Sequence, residues 1–296
     1  MATRRSPAPE FLLRQRIAAV KRMLPGARTG DVRATHQARV ATRRLRAAIP
    51  LLDAGKAGRR LESAARELTR VIGPVRELDV AHDLLDDLKA AGQISNAAVS
   101  YLRRAIADER RALHREVVRA VGDCDLDRLQ RKTLGAVKRR ASRHRHAADR
   151  HERIAPVRRR AARRAARLEA AIDAAGSIYL PERLHDVRIA VKKLRYVLEI
   201  ARDLSGSRAE QRIRTLKRTQ DLLGRLHDFE VLITRTRALQ AAAVRDLRLS
   251  SDLDQLVRGL ETECRRLHGQ YITMRRTLLD ICRRVEAAGE RYEAAS

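Results

Sequence analysis

Residues 36–46 read HQARVATRRLR, and their spacing predicts a helix with two chemically different sides. An α-helix turns by about 100° per residue, so the basic side chains of this stretch fall on one narrow stripe. The stripe consists of His36, Arg39, Arg43 and Arg46. The opposite side carries Ala38, Ala41 and Leu45. This pattern is typical of a helix that buries its apolar side in a core and presents a cationic side.

A second stretch repeats this layout. Residues 184–195 read LHDVRIAVKKLR, with His185, Arg188, Lys192 and Arg195 on the stripe. In each stretch one further cation, Arg44 or Lys193, lies about 100° off the stripe, where it reaches in from the flank or faces water. An isolated helix of this kind would indicate only a solvated face. The recurrence with a histidine at the head of both stripes favours binding.

The segments that follow the two stretches also correspond. Residues 72–80 read IGPVRELDV and residues 223–231 read LGRLHDFEV. His36 and His185 are 149 residues apart, while Gly73 and Gly224 are 151 apart, so both pairs give nearly the same register. Arg66 and Lys217 each precede their glycine by seven residues. We therefore predict an internal duplication within one domain, with repeats at residues 1–148 and 149–296.

The chain is predicted to be all-α, because no stretch alternates polar and apolar residues with the period of a strand. Helices are expected to end at Pro25-Gly26, at Gly73-Pro74 and at Gly224. A duplicated helical unit predicts two similar bundles related by a pseudo-twofold axis, with equivalent faces turned toward each other. The two stripes would then line a basic central cavity or pore.

The charge of the chain indicates an anionic partner. The sequence has 65 Lys and Arg against 37 Asp and Glu, a formal net charge of +28, which concentrates polyanions at the surface. Aromatic residues make up 2% of the sequence and Trp is absent, so few rings are available to stack on nucleic-acid bases. A phosphate polymer without bases is favoured, and nucleic acid is the alternative partner.

Other features of the sequence bound the class of protein. The three cysteines form no C-x-x-C pair, which predicts neither a disulfide framework nor a zinc site. No secretory leader is recognisable, and no apolar run approaches the ~18 residues of a membrane span. We expect a cytoplasmic protein without a membrane partner.

The motifs HxxRVxxRRLR and HxxRIxxKKLRY, with LLGxxxD after the second, resemble the CHAD family, whose name abbreviates conserved histidine α-helical domain. The resemblance covers essentially the whole chain. It implies two helical bundles around a basic cavity, which bind inorganic polyphosphate without catalysis and can associate with polyphosphate granules. Many relatives also carry an enzymatic CYTH domain; this sequence has no β-rich segment, so that part is expected to be missing.

The resemblance and the charge pattern together predict a set of polyphosphate contacts. Arginine offers a planar fork that matches phosphate oxygens, and lysine offers a compact charge. Arg76 and His227 are equivalent positions of different residue type, so neither is included. The predicted residues are His36, Arg39, Arg43, Arg44, Arg46, Arg66, His185, Arg188, Lys192, Lys193, Arg195 and Lys217.

No metal, cofactor or catalytic centre is predicted. His36 and His185 lack a second ligand at i+3 or i+4 on the stripe, so we expect them to donate to phosphate or to position a neighbour. An acidic face, composed of Asp79, Asp83, Asp86 and Asp87, is interpreted as helix-dipole compensation and ion pairs rather than a divalent-metal site. The histidines 144, 146 and 151 are interpreted as a solvated spacer. Neither a phosphate-binding loop nor a nucleophile motif is present.

Overall fold

The computed structural model describes residues 9–51, 55–143, 150–205, 209–242 and 246–293. These residues form helices and connecting turns and contain no strand, which confirms the all-α prediction. The helices are α1 Pro9–Thr29, α2 Val32–Ala48, α3 Gly55–Ala90, α4 Asn96–Gly122, α5 Leu126–Arg143, α6 Arg150–Ala175, α7 Pro181–Ser205, α8 Glu210–Ala242 and α9 Leu247–Glu293, with a short 3₁₀ turn at Ile49–Leu51. In this part of the chain no helix is long and apolar enough to cross a membrane.

The helix α2, which carries the first stripe, begins at a well-defined cap. Gly30 takes a left-handed φ of 88° between α1 and α2, a conformation that favours glycine. The side chain of Asp31 then accepts a hydrogen bond from the amide of Ala34 at 2.5 Å, as N-cap residues do. The buried face of α2 consists of small residues and one leucine: Thr35, Ala38, Ala41, Thr42, Leu45 and Ala48.

Small residues let α1 and α2 approach closely. A Cβ placed on Gly26 would lie 2.6 Å from the Cβ of Ala34, which is closer than two carbon atoms can come. Gly26 is therefore needed for helix packing and does not end α1.

The helices form two packed groups, α1–α5 and α6–α9, which meet where α2 contacts α7, α3 contacts α8 and α4 contacts α9. Each group buries aliphatic side chains completely, such as Leu45 and Leu61 in the first and Leu168 in the second. Burial of each such side chain contributes about 2 kcal/mol. The internal duplication and the central cavity stay predictions. The repeat boundary at 148–149, His144 and His146 lie outside the described residues, as does the side chain of His151.

The predicted helix ends at Pro25-Gly26, Gly73-Pro74 and Gly224 are wrong, because α1, α3 and α8 continue through them. A proline inside a helix removes one backbone hydrogen bond, and a glycine costs about 1 kcal/mol relative to alanine. Around Pro74 this cost is outweighed by packing, since Val71, Ile72 and Val75 on adjacent turns are all buried. Burial of neighbouring side chains in the core thus outweighed the local tendency of proline and glycine to end a helix.

The continuity of α3 also changes the interpretation of its acidic face. These carboxylates lie in the C-terminal part of α3 and cannot compensate its N-terminal dipole. The ion-pair interpretation does agree with the structure: Asp79 pairs with Arg110, Asp83 with Arg76 and Asp86 with Arg103. Over the described residues, no group of three or more His, Cys, Asp or Glu could hold a metal ion.

The Asp79–Arg110 pair connects three parts of the first bundle. Asp79 is buried, and Nε of Arg110 on α4 donates to its Oδ1 at 2.6 Å. Nη2 of Arg110 also donates to the carbonyl of Gly30 at 2.9 Å. The pair therefore holds α3, α4 and the turn before α2 together.

We expect Asp79→Ala to lower the free energy of unfolding by about 2 kcal/mol, because it leaves the half-buried Arg110 without its carboxylate. Urea denaturation followed by circular dichroism measures this change. The matched control is Asp108→Ala, which removes an exposed i,i+3 pair with Arg111 and should change stability by less than about 0.5 kcal/mol. Equal effects of the two substitutions would contradict the structural role of Asp79.

Candidate functional site

The contact between α2 and α7 brings the two basic stripes together. Arg39 and Arg43 on α2 lie close enough to Arg188 on α7 that its charge lowers the pKa of both. Arg43 likewise lowers the pKa of Lys192. These four side chains are called the central cluster below.

Two carboxylates accompany the four cations of the central cluster. Glu77 of α3 accepts a hydrogen bond from Nη2 of Arg39 at 3.1 Å. Asp228 of α8 acts on Arg188 and, more weakly, on Arg39. Burial raises the pKa of Asp228, although the neighbouring arginines lower it. The carboxylates therefore offset only part of the positive charge.

The cations of the central cluster are removed from water to an unusual degree. The side chain of Arg39 is only 17% exposed, and its buried Nε has no hydrogen-bond partner. Burial is the largest influence that lowers the pKa of Arg43 and of Arg188. Half-buried donors of this kind, with unused hydrogen-bonding capacity, are suited to a ligand that brings oxygen acceptors.

Lys192 shows the strongest effect of this environment. Burial, followed by the charges of Arg43 and Arg188, lowers its pKa from 10.5 to about 6. At neutral pH most of its amine is therefore uncharged in the free protein. An arginine in the same cluster keeps its proton at neutral pH, since the pKa of Arg39 falls only to about 10. Lys192 is the member of the cluster whose charge an arriving anion can change.

Each of the two motif histidines lies beside a residue of the later segment in its own half of the chain. These are segment 72–80 for His36 and segment 223–231 for His185. Nε of Arg76 donates to Nδ1 of His36 at 3.1 Å. Nδ1 of His185 is 3.4 Å from Nδ1 of His227, with ring centroids 4.7 Å apart. Burial and nearby arginines lower the pKa of all three histidines, that of His227 to about 4. The rings are thus neutral at pH 7 and can each donate one N–H.

Two predicted contacts, Arg195 and Arg44, lie next to one carboxylate of the protein, Glu199. Arg195 is 7% exposed, bonds to Glu199 and to Oε1 of Gln220 at 3.0 Å, and stacks over the ring of Tyr196 at 4.7 Å. Arg44 lies 3.7 Å from the other oxygen of Glu199. Glu199 therefore links α2 to α7, and the guanidinium of Arg195 serves this link.

The remaining predicted residues lie beyond the central cluster. Arg46 has a buried Nε without a hydrogen-bond partner and lies near Arg66, which pairs with Glu62 at 3.5 Å. Lys193 is exposed on α7 and close to Arg46. Lys217 is exposed on α8. The structure thus brings Arg39, Arg43, Arg188 and Lys192 together and places Arg46, Arg66 and Lys193 to one side.

The sequence interpretation left out four residues that surround the cluster: Arg76, Glu77, His227 and Asp228. All four belong to the corresponding segments 72–80 and 223–231. The signal that could have found them was present, because Arg76 and His227 follow their glycines at the same distance. Their equivalence of position was recognised, and their difference in residue type was the reason for leaving them out.

The arrangement can hold a linear anion with repeated oxygens. The stripe from His36 to Arg46 spans about 15 Å of helix axis, and the facing stripe on α7 has the same length. Each stripe begins with a neutral histidine donor and continues with arginine forks and, on α7, one titratable amine, so successive anionic groups would each meet a donor.

Comparisons with known proteins agree with this architecture. The CHAD domain family matches residues 12–237. Among solved structures, the chain is similar to the CHAD domain from the plant Ricinus communis, with 22% identity, a TM-score of 0.58 and 97% of each chain covered. It is also similar to PptA from Streptomyces chartreusis, with 16% identity, a TM-score of 0.55 and coverage of 96% of this chain and 98% of that one. No curated protein sequence matches. The two structural likenesses show the fold, and the family match over more than half of the sequence shows that the chain belongs to the CHAD family.

Proposed function

We propose that this protein binds inorganic polyphosphate through the central cluster. The observation that carries the proposal is the convergence of Arg39, Arg43, Arg188 and Lys192, all partly buried and within electrostatic range of one another. Among the described residues, Glu77 and Asp228 are the carboxylates that act on this cluster. Membership of the CHAD family supports the choice of polyphosphate among linear polyanions.

The electrostatics of the cluster favour such a ligand. In the free protein the cations repel one another in a medium that screens charge less than water does. Each phosphate unit of a polyphosphate chain carries about one negative charge and several acceptor oxygens, so it offsets this repulsion and uses the open donors at the same time. The ligand needs no bases or sugars, which fits a site whose neighbouring tyrosine, Tyr196, is buried and covered by Arg195.

We propose binding without catalysis, in the cytoplasm and at polyphosphate granules. Metal-assisted cleavage of phosphate chains uses clustered carboxylates that hold divalent ions. In the described part of the chain no such group of three or more ligands exists, and Glu77 is bonded to Arg39. The proposed role is to hold the polymer rather than to cleave it.

Charge reversal at the centre of the site provides the main test. The double variant Arg43→Glu, Lys192→Glu should weaken long-chain polyphosphate binding at least about 100-fold, because two charged contacts are replaced by repulsion. Isothermal titration calorimetry at fixed salt measures the Kd. The control Arg104→Glu, Arg111→Glu makes the same change in net charge on exposed positions of α4 and should alter the Kd by a few-fold at most. Unchanged affinity of the first variant would disprove the assignment.

The Kd should also depend on pH through Lys192. A bound polyanion favours the charged amine, so the pKa of Lys192 rises above its free value of about 6 when the complex forms. Binding then takes up a proton, and affinity falls as pH rises from about 6 to the pKa of the complex.

Lys192→Arg is the matched variant for this effect, because arginine stays charged across the range. Its affinity should decline less than that of the parent between neutral and alkaline pH, measured at constant ionic strength. The histidines act in the same direction, because a bound polyanion also favours their charged form, but they are present in parent and variant alike. The difference between the two pH profiles therefore isolates Lys192. Parallel pH profiles of parent and variant would rule out titration of Lys192.

Nucleic acid is the second candidate, favoured by the net charge of +28. We expect polyphosphate to displace labelled DNA and RNA from the protein at equal phosphate concentration, because the site offers phosphate contacts without base stacking. A fluorescence-anisotropy competition in both directions measures this order. Efficient displacement of polyphosphate by nucleic acid would favour the alternative.

A further inference from the structure

A second group of cations lies on α6, next to the helix that carries the second stripe. Arg160, Arg164 and Arg167 follow one another at i, i+4 and i+7, so they share one side of α6 over about 10 Å. They are called the α6 row below. None of the three was among the contacts predicted from the sequence.

Two members of the α6 row border a groove between α6 and α7. The groove has a volume of about 340 Å³, and its cationic lining consists of Arg164, Arg167, Arg183 and Lys193, with one carboxylate, Asp186. Alanines of both helices also line it. Their short side chains leave room between the long basic ones, where a linear anion could lie.

Lys193 and Arg46 connect this groove to the central cluster. Arg164, Arg167 and Arg46 all lower the pKa of Lys193, which places the lysine between the α6 row and α2. Lys193 in turn acts on Lys192 of the central cluster, and Arg46 acts on Arg43. From the α6 row to the central cluster, each of these cations therefore lies within electrostatic range of the next.

The α6 row has little negative charge around it. Apart from burial, the influences on the pKa of Arg164 come from three other arginines, at positions 160, 163 and 167. Glu62 acts on Arg160, and Asp186 acts on Lys193. An ordinary solvated helix face would pair its arginines with acidic residues at i±3 or i±4. Here the arginines repel one another beside a site that already has excess positive charge.

We propose that the α6 row is a second binding segment, which holds the part of a long polyphosphate chain that leaves the central cluster past Arg46 and Lys193. The inference rests on the proposed function and deepens it. A chain of a few phosphates fits within the ~15 Å length of the stripe, whereas a longer chain extends beyond it. At the Arg46 end it meets further cations, so affinity should increase with chain length.

The test compares a short and a long ligand. In the triple variant Arg160→Gln, Arg164→Gln, Arg167→Gln, the Kd for long-chain polyphosphate should rise about tenfold, because three partly exposed charge contacts are lost. The Kd for tripolyphosphate should stay within about twofold of the parent. The control Arg104→Gln, Arg111→Gln, Arg115→Gln removes three charges from exposed positions of α4 and should affect neither ligand by more than a few-fold.

The outcomes separate the inference from the proposed function. If the triple variant binds long chains as tightly as the parent does, or loses affinity for both ligands equally, the second segment is disproved while the central site stands. If the parent binds neither ligand, the proposed function fails. If the triple variant folds poorly by circular dichroism, the single change Arg167→Glu at an exposed position replaces it. The same selective loss of affinity for long chains is expected. An equal effect on both ligands would disprove the segment.

Discussion

The structure depends on holding like charges close together between two helices. Arg39 and Arg43 of α2 lie within electrostatic range of Arg188 and Lys192 of α7. Burial is the largest influence that lowers the pKa of all four side chains, and neighbouring cations lower the pKa of Arg39, Arg43 and Lys192 further. Such an arrangement opposes folding, since repulsion increases as water is excluded. It persists because the apolar side of each helix is packed in its own bundle, with Leu45 and Leu194 fully buried. Packing in the two cores fixes the positions of α2 and α7, and these helices hold the four cations near one another.

Polar contacts keep the two bundles aligned around this repulsive centre. Glu199 forms ion pairs with Arg195 of its own helix and with Arg44 of α2. Nη2 of Arg16 on α1 lies 3.0 Å from Asp203 on α7. On the other side, the hydroxyl of Tyr101 on α4 donates to the carbonyl of Leu239 on α8 at 3.1 Å. Attractive pairs thus surround the cluster of like charges and oppose its tendency to separate α2 from α7.

Much of the fold could be predicted from the sequence because helical periodicity records burial directly. The stripe from His36 to Arg46 and its apolar opposite side are where the pattern placed them. What the pattern could not give was the strength of distant packing: Pro74 and Gly224 read as helix ends, yet both lie inside long helices. The site was predictable to the same degree. Facing positions on α2 and α7 followed from the repeat, whereas the burial of Arg195 depends on Glu199 and Gln220, whose contacts no spacing rule reveals.

The uninterrupted course of α3 has one more consequence. Glu77 and Asp79 are two residues apart on this helix and point about 200° away from each other. Glu77 meets Arg39 in the central cluster, while Asp79 meets Arg110 on the far side. Because no break separates the two residues, the buried Asp79–Arg110 pair limits rotation of α3 and so fixes the direction of Glu77. A small roll of α3 about its axis would strain both ion pairs at once, so the orientation of a core contact determines how much negative charge the central cluster retains.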